Sequence, residues 1–178
     1  NILFGTINRT SDASLIKVPF RFMNFNSTVE YGPFSFHSNY ALEVSLKDKF
    51  KKTTSRIEIR EIYFSWYPTF GEVRVGKQIN TWGVGSTNSP LDILSPINYY
   101  YFFSRGIEKN IGIYTLLFDS YFNNIKLSTI ILPYHDRNIL PINDSEMPIS
   151  IDNLPKDMIF TEIDKPLQYG ISAKTNLN

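Results

Sequence analysis

Apolar and polar residues alternate along this chain with a period of two over unusually long stretches. The clearest runs from Pro33 to Lys47. Phe34, Phe36, Tyr40, Leu42, Val44 and Leu46 fall on one face, interrupted by Ser38. Ser35, His37, Asn39, Ala41, Glu43, Ser45 and Lys47 fall on the other. Such alternation predicts a strand with one apolar and one polar side. A globular strand averages ~5–6 residues, so this one is long. A tilted bilayer-spanning strand needs ~9–11.

The pattern recurs. Met23, Phe25, Val29 and Tyr31 oppose Asn24, Asn26, Thr28 and Glu30. Leu167, Tyr169, Ile171, Ala173 and Leu177 oppose Gln168, Gly170, Ser172, Lys174 and Asn176. Arg74, Gly76, Gln78 and Asn80 oppose Val73, Val75 and Ile79, with Lys77 anomalous on the apolar side. In the segment from Ile57 to Tyr67 the phase slips. Arg56, Glu58 and Arg60 begin a polar face that Ile62, Phe64 and Trp66 continue as apolar, which predicts a bulge or a change of environment. Segments from Asn110 to Phe118 and from Asn124 to Leu132 are strand-like and richer in hydrophobes.

Turn signals lie at Tyr31-Gly32-Pro33, from Pro68 to Gly71, and from Asp119 to Asn124. Consecutive strands joined so tightly make an antiparallel meander. No stretch carries a convincing i, i+3, i+4 period. Two connections are long. One, about 82–108, contains Pro90, Pro96 and the aromatic run Tyr99–Phe103. The other, about 134–166, is rich in proline and acidic residues. The expectation is a single all-β domain over 1–178 with seven or eight strands. Short turns on one side and long loops on the other are the asymmetry of an outer-membrane barrel. A soluble sandwich also alternates. Against it stand the strand lengths, the aromatic-rich apolar faces and the mostly neutral Asn, Ser, Thr, Gln and Gly of the polar faces.

Composition narrows this further. With 178 residues and a net charge of +1, the chain can build a sizeable core and has no bulk charge for nucleic acid. It has no cysteine, which removes disulfides and thiol chemistry. No run of eighteen apolar residues suggests a membrane helix. Starting at Asn1 rather than Met, the chain reads as a processed product or a fragment. The two histidines, His37 and His135, are not grouped as metal ligands. The stretch from Gly83 to Pro90 lacks the spacing of a phosphate loop. No nucleophile–base pair is recognisable, so neither an enzyme nor a bound cofactor or metal is expected.

The segment RVGKQINTWG resembles the R-x-G-R/K-Q-x3-W-G signature of porin-like outer-membrane β-barrel proteins of Gram-negative bacteria. Arg74, Gly76, Lys77, Gln78, Trp82 and Gly83 carry it. Upstream, EIREIYFSW resembles that group's preceding strand, through Arg60, Glu61 and Tyr63. Downstream, DILSPIN resembles a D-x-x-N-P-x-D/N element through Asp92, Pro96 and Asn98, with Ser95 departing from the usual Asn. The resemblance spans roughly Arg56 to Pro133. It implies an antiparallel up-and-down transmembrane β-barrel in the bacterial outer membrane, and no defined substrate.

On this reading the chain is the N-terminal portion of a larger barrel. Its outer face meets lipid, and its polar lumen passes small solutes or an exported polymer. Arg74, Gln78, Asn80, Glu61, Glu43 and Asn39 are expected to line the lumen, and Trp82, Gly83, Asp92, Pro96 and Asn98 to form a loop motif that enters or caps it. Arg74 is expected to pair with Glu61 across the hairpin, because an unpaired charge near low-dielectric walls is costly. The alternative is a soluble or surface-exposed β-sandwich binding module, with Trp82 and the Tyr99–Phe103 run as stacking platforms for carbohydrate.

Overall fold

The structure, a computed structural model, describes residues 10–12, 18–47, 52–81, 94–102, 106–134, 136–141 and 167–175. Long alternating segments with β-branched and aromatic residues favour strands. Seven form: β1 (Phe20–Tyr31), β2 (Phe34–Lys47), β3 (Lys52–Trp66), β4 (Gly71–Gln78), β5 (Ile113–Phe122), β6 (Ile125–Leu132) and β7 (Gln168–Thr175). They make one sheet in the order β1-β2-β3-β4-β5-β6-β7, each antiparallel to the next. This is an all-β, up-and-down sheet, open rather than closed: among the described residues nothing pairs β7 with β1. No helix among them is long and apolar enough to cross a membrane, which says nothing about crossing by strands.

The phase slip in β3 is a bulge. Asn39 pairs with Glu61, and the next residue of β2, Tyr40, pairs with Ile59. Arg60 is the extra residue, so Arg60 and Glu61 share the polar face while Ile59 and Ile62 share the apolar one. The bulge also settles the anomaly at Lys77, whose Nζ donates to the Ile59 carbonyl at 2.8 Å. A second irregularity lies in β1 between Arg21 and Met23, and β1 begins three residues earlier than the alternation alone indicates.

The described turns, between β1 and β2, β3 and β4, and β5 and β6, lie along one end of the sheet. Gly32 adopts φ +55° between β1 and β2, and Asn123 adopts φ +49° between β5 and β6. A two-residue hairpin turn needs such positive φ, which Gly and Asn tolerate best. The β5–β6 turn is therefore tighter than the sequence suggests: Asp119 to Phe122, read as turn residues, continue β5. Aromatic side chains crowd this end, with Trp66 and Phe70 edge to face at 6.4 Å and Phe34 stacked on Phe64 at 5.5 Å.

The two faces of the sheet are inverted relative to a soluble domain. Val29, Phe36, Phe64, Val75, Leu116, Ile131 and Tyr169 are paired neighbour to neighbour across all seven strands. Every one of them is exposed, from 38% at Ile131 to 81% at Tyr169. The opposite face buries Arg21, Asn39, Glu43, Arg60, Ser65, Gln78, Thr115 and Asp119. Its one apolar cluster is small: Leu94, Ile113, Leu117, Ile130 and Leu132.

Candidate functional site: the covered polar face

Much of the polar face is covered by the β4–β5 connection. After β4, the Asn80 backbone N–H donates to Ser95 Oγ at 3.2 Å and the Asn80 side chain donates to Thr115 Oγ1 at 3.1 Å. Ser95 Oγ donates back to the Asn80 carbonyl at 2.9 Å. Leu94 then joins the cluster over β5 and β6. Asn98 accepts from the Tyr100 backbone N–H at 3.1 Å and opens a 3-10 turn over Tyr99–Tyr101. A second such turn covers Gly106–Lys109. The Pro96 carbonyl accepts from the Ile111 N–H at 2.8 Å, and Ile139, from the β6–β7 connection, exchanges backbone bonds with Ile97 and Tyr99 at 2.9 Å. The long connections therefore carry local structure of their own.

The far end of this strap reaches β1, β2 and β3. Tyr101 Oη donates to Glu43 Oε2 at 2.6 Å, and the Arg21 guanidinium lies 3.9 Å from the Tyr101 ring centroid. Burial, reinforced by the bond to Glu43, pushes the Tyr101 hydroxyl well above the usual phenol range, so it stays a neutral donor. Arg21 grips Glu58 with two bonds, Nε to Oε2 at 2.7 Å and Nη2 to Oε1 at 3.1 Å. Its Nη1 donates to the strap at Glu108, to the backbone carbonyl and to Oε2 at 3.1 Å. Arg60 Nη1 reaches the same carboxylate, at 3.2 Å from Oε1 and 3.1 Å from Oε2. Arg56 pairs with Glu43 at 2.7 Å from the exposed side.

A second polar group occupies β4–β6. The Asp119 carboxylate has Lys126 Nζ at 2.7 Å and Arg74 Nη2 at 3.5 Å. Arg74 Nε lies 2.9 Å from Glu72 Oε1. Gly76 sits opposite Tyr63 with φ +134°, and a Cβ there would lie 2.4 Å from the Ile62 carbonyl oxygen and 2.8 Å from Tyr63 Cα. Glycine at this position thus admits close approach of the neighbouring strand.

Arg74, Gln78, Asn80, Glu61, Glu43 and Asn39, expected on one face, do share the polar face. They do not form one cluster. Glu43 belongs to the strap network, Arg74 to the Asp119 group, and Gln78 donates to the Thr115 carbonyl at 3.3 Å between them. The expected Arg74–Glu61 pair is corrected. Register sets Arg74 opposite Ser65 and Leu117, which leaves Glu61 too far along β3. Glu61 instead accepts from the Ile79 N–H at 3.0 Å and lies 3.9 Å from His37. Arg74 lies on the polar face and finds its carboxylates at Glu72 and Asp119. Of the loop motif, Pro96 and Asn98 are placed as above, whereas Trp82, Gly83 and Asp92 lie outside the described residues, as does His135.

Sequence reasoning missed Arg21, Glu58, Arg60, Tyr101 and Glu108 as a set. Only the charge of Arg60 at the phase slip hinted at it. Among the described residues no group of His, Asp and Glu could hold a metal ion. Comparison with protein-family models, curated proteins and solved structures yields no match. The class is therefore defined by the chain's own geometry: an all-β protein built on one antiparallel up-and-down sheet, with a bare apolar face and a strapped polar one.

Proposed function

We propose that this sheet is the wall of a transmembrane β-barrel in a bacterial outer membrane, and that its polar face lines a channel for small solutes or an exported polymer. One observation carries the reading: the apolar row across all seven strands is exposed while charged and amide side chains on the other face are buried. Exposed apolar patches beyond a few hundred Å² mark contact surfaces. A surface spanning a whole sheet suits lipid, whose hydrocarbon requires it and also requires every backbone group to be paired. Aromatics along the short-turn end suit an interfacial girdle.

Among the described residues β1 and β7 each present an unpaired edge, and such edges do not persist in hydrocarbon. The barrel reading therefore includes further strands that complete the wall. The described parts of the strap, 94–102 and 106–112, would narrow the lumen they cross. The test is reconstitution of the full-length protein in planar bilayers. Discrete conductance steps are expected. Folded, inserted protein that passes no current would reject the channel.

A further inference from the structure

On the barrel reading, we propose that Arg21 and Arg60 form a binding site for a carboxylate-bearing solute, occupied in this conformation by the strap's own Glu108. Both guanidiniums are buried, with side chains 3% exposed. Their Nη1 groups converge on a single carboxylate from two strands, β1 and the bulge of β3. Guanidinium pairs of this kind suit planar oxyanions, because each presents fixed donors that match carboxylate geometry.

The two carboxylates that meet Arg21 are held differently. Glu58 sits on β3, grips Arg21 through both oxygens and has a side chain 18% exposed. Glu108 comes from the strap, and its side chain is 35% exposed. Glu58 is thus the fixed counterion of Arg21. Glu108 is the displaceable one, and it is the open side of the site. An incoming carboxylate can take the place of the Glu108 side chain between the two guanidiniums with no change in charge, and a neutral solute cannot. Displacement of the Glu108 side chain would leave the strap held to β1 by the Arg21 bond to the Glu108 carbonyl and the Arg21–Tyr101 contact, and to β2 by Tyr101–Glu43.

The full-length protein, folded in detergent micelles, would be titrated calorimetrically with sodium succinate, and with erythritol as a neutral control. A tethered carboxylate competes at an effective concentration of order mM, so Glu108→Gln should bind succinate about tenfold tighter or more than the natural protein. Glu108→Ala should do the same, erythritol should bind neither, and adding Arg60→Gln to Glu108→Gln should abolish the gain. No gain in either folded single variant would overturn the proposal. Loss of the β-sheet circular dichroism signal in both would also overturn it, by marking Glu108 as a structural counterion. The titration needs no current, so an inserted protein that binds succinate without conducting rejects the channel and keeps the site.

Discussion

Two ion pairs of the polar face have the same length and should differ widely in worth. Arg21–Glu58 and Arg56–Glu43 both measure 2.7 Å. Arg21 is 3% exposed in its side chain and Arg56 is 60% exposed. Removing one partner of a buried pair strands a charge in a poor solvent and costs about 3–5 kcal/mol, whereas an exposed pair contributes about 0–1 kcal/mol. Glu58→Ala should therefore lower the unfolding free energy in lipid vesicles by about 3 kcal/mol. Arg56→Ala should lower it by less, because the Glu43 side chain, though 6% exposed, keeps the Tyr101 hydroxyl as a donor and loses a guanidinium that is itself largely in water. Urea titration followed by tryptophan fluorescence measures both. Equal effects would show that solvent reaches Arg21 as freely as Arg56. At this scale the sequence was partly readable. The face of Arg74 followed from alternation. Its partner did not, because a pairing depends on register between strands, which one strand's pattern does not carry.

At the scale of the element, alternation predicted the strands β1, β2, β4 and β7 and their polar sides with little error. It succeeded because each has one face that must avoid what the other seeks, so the period survives in sequence. β3 tests this most sharply. Its apolar positions run Ile57, Ile59, then Ile62, Phe64 and Trp66, a spacing of three across the bulge. Single cysteines along β3 should react with a lipid-phase maleimide at 57, 59, 62, 64 and 66, and with a water-soluble one at 58, 61 and 63. An unbroken period of two through residues 59–62 would remove the bulge, and with it the inward placement of Arg60. The strap was legible only as a long connection between Trp82 and Glu108. That it lies on the polar face depends on contacts far apart in sequence, Tyr101 with Glu43 and Glu108 with Arg21. No local pattern encodes such pairs.

At the scale of the whole molecule, the sheet has its solvent preferences reversed, and everything proposed for it depends on what the apolar face meets. A second sheet packed on that face would make a sandwich; all seven described strands belong to one sheet, so none of them supplies it. Contact with lipid would give the bare apolar row and the aromatic short-turn end one common reason. The most direct measurement places a nitroxide, one at a time, at the seven row positions Val29, Phe36, Phe64, Val75, Leu116, Ile131 and Tyr169, with His37, Tyr63 and Thr115 as polar-face controls, in the full-length protein reconstituted in vesicles. Relaxation by oxygen, which concentrates in hydrocarbon, is compared with relaxation by a water-soluble nickel chelate. The lipid account predicts that all seven row positions favour oxygen and that the three controls do not. A row relaxed chiefly by the chelate, or shielded from both reagents, would contradict it.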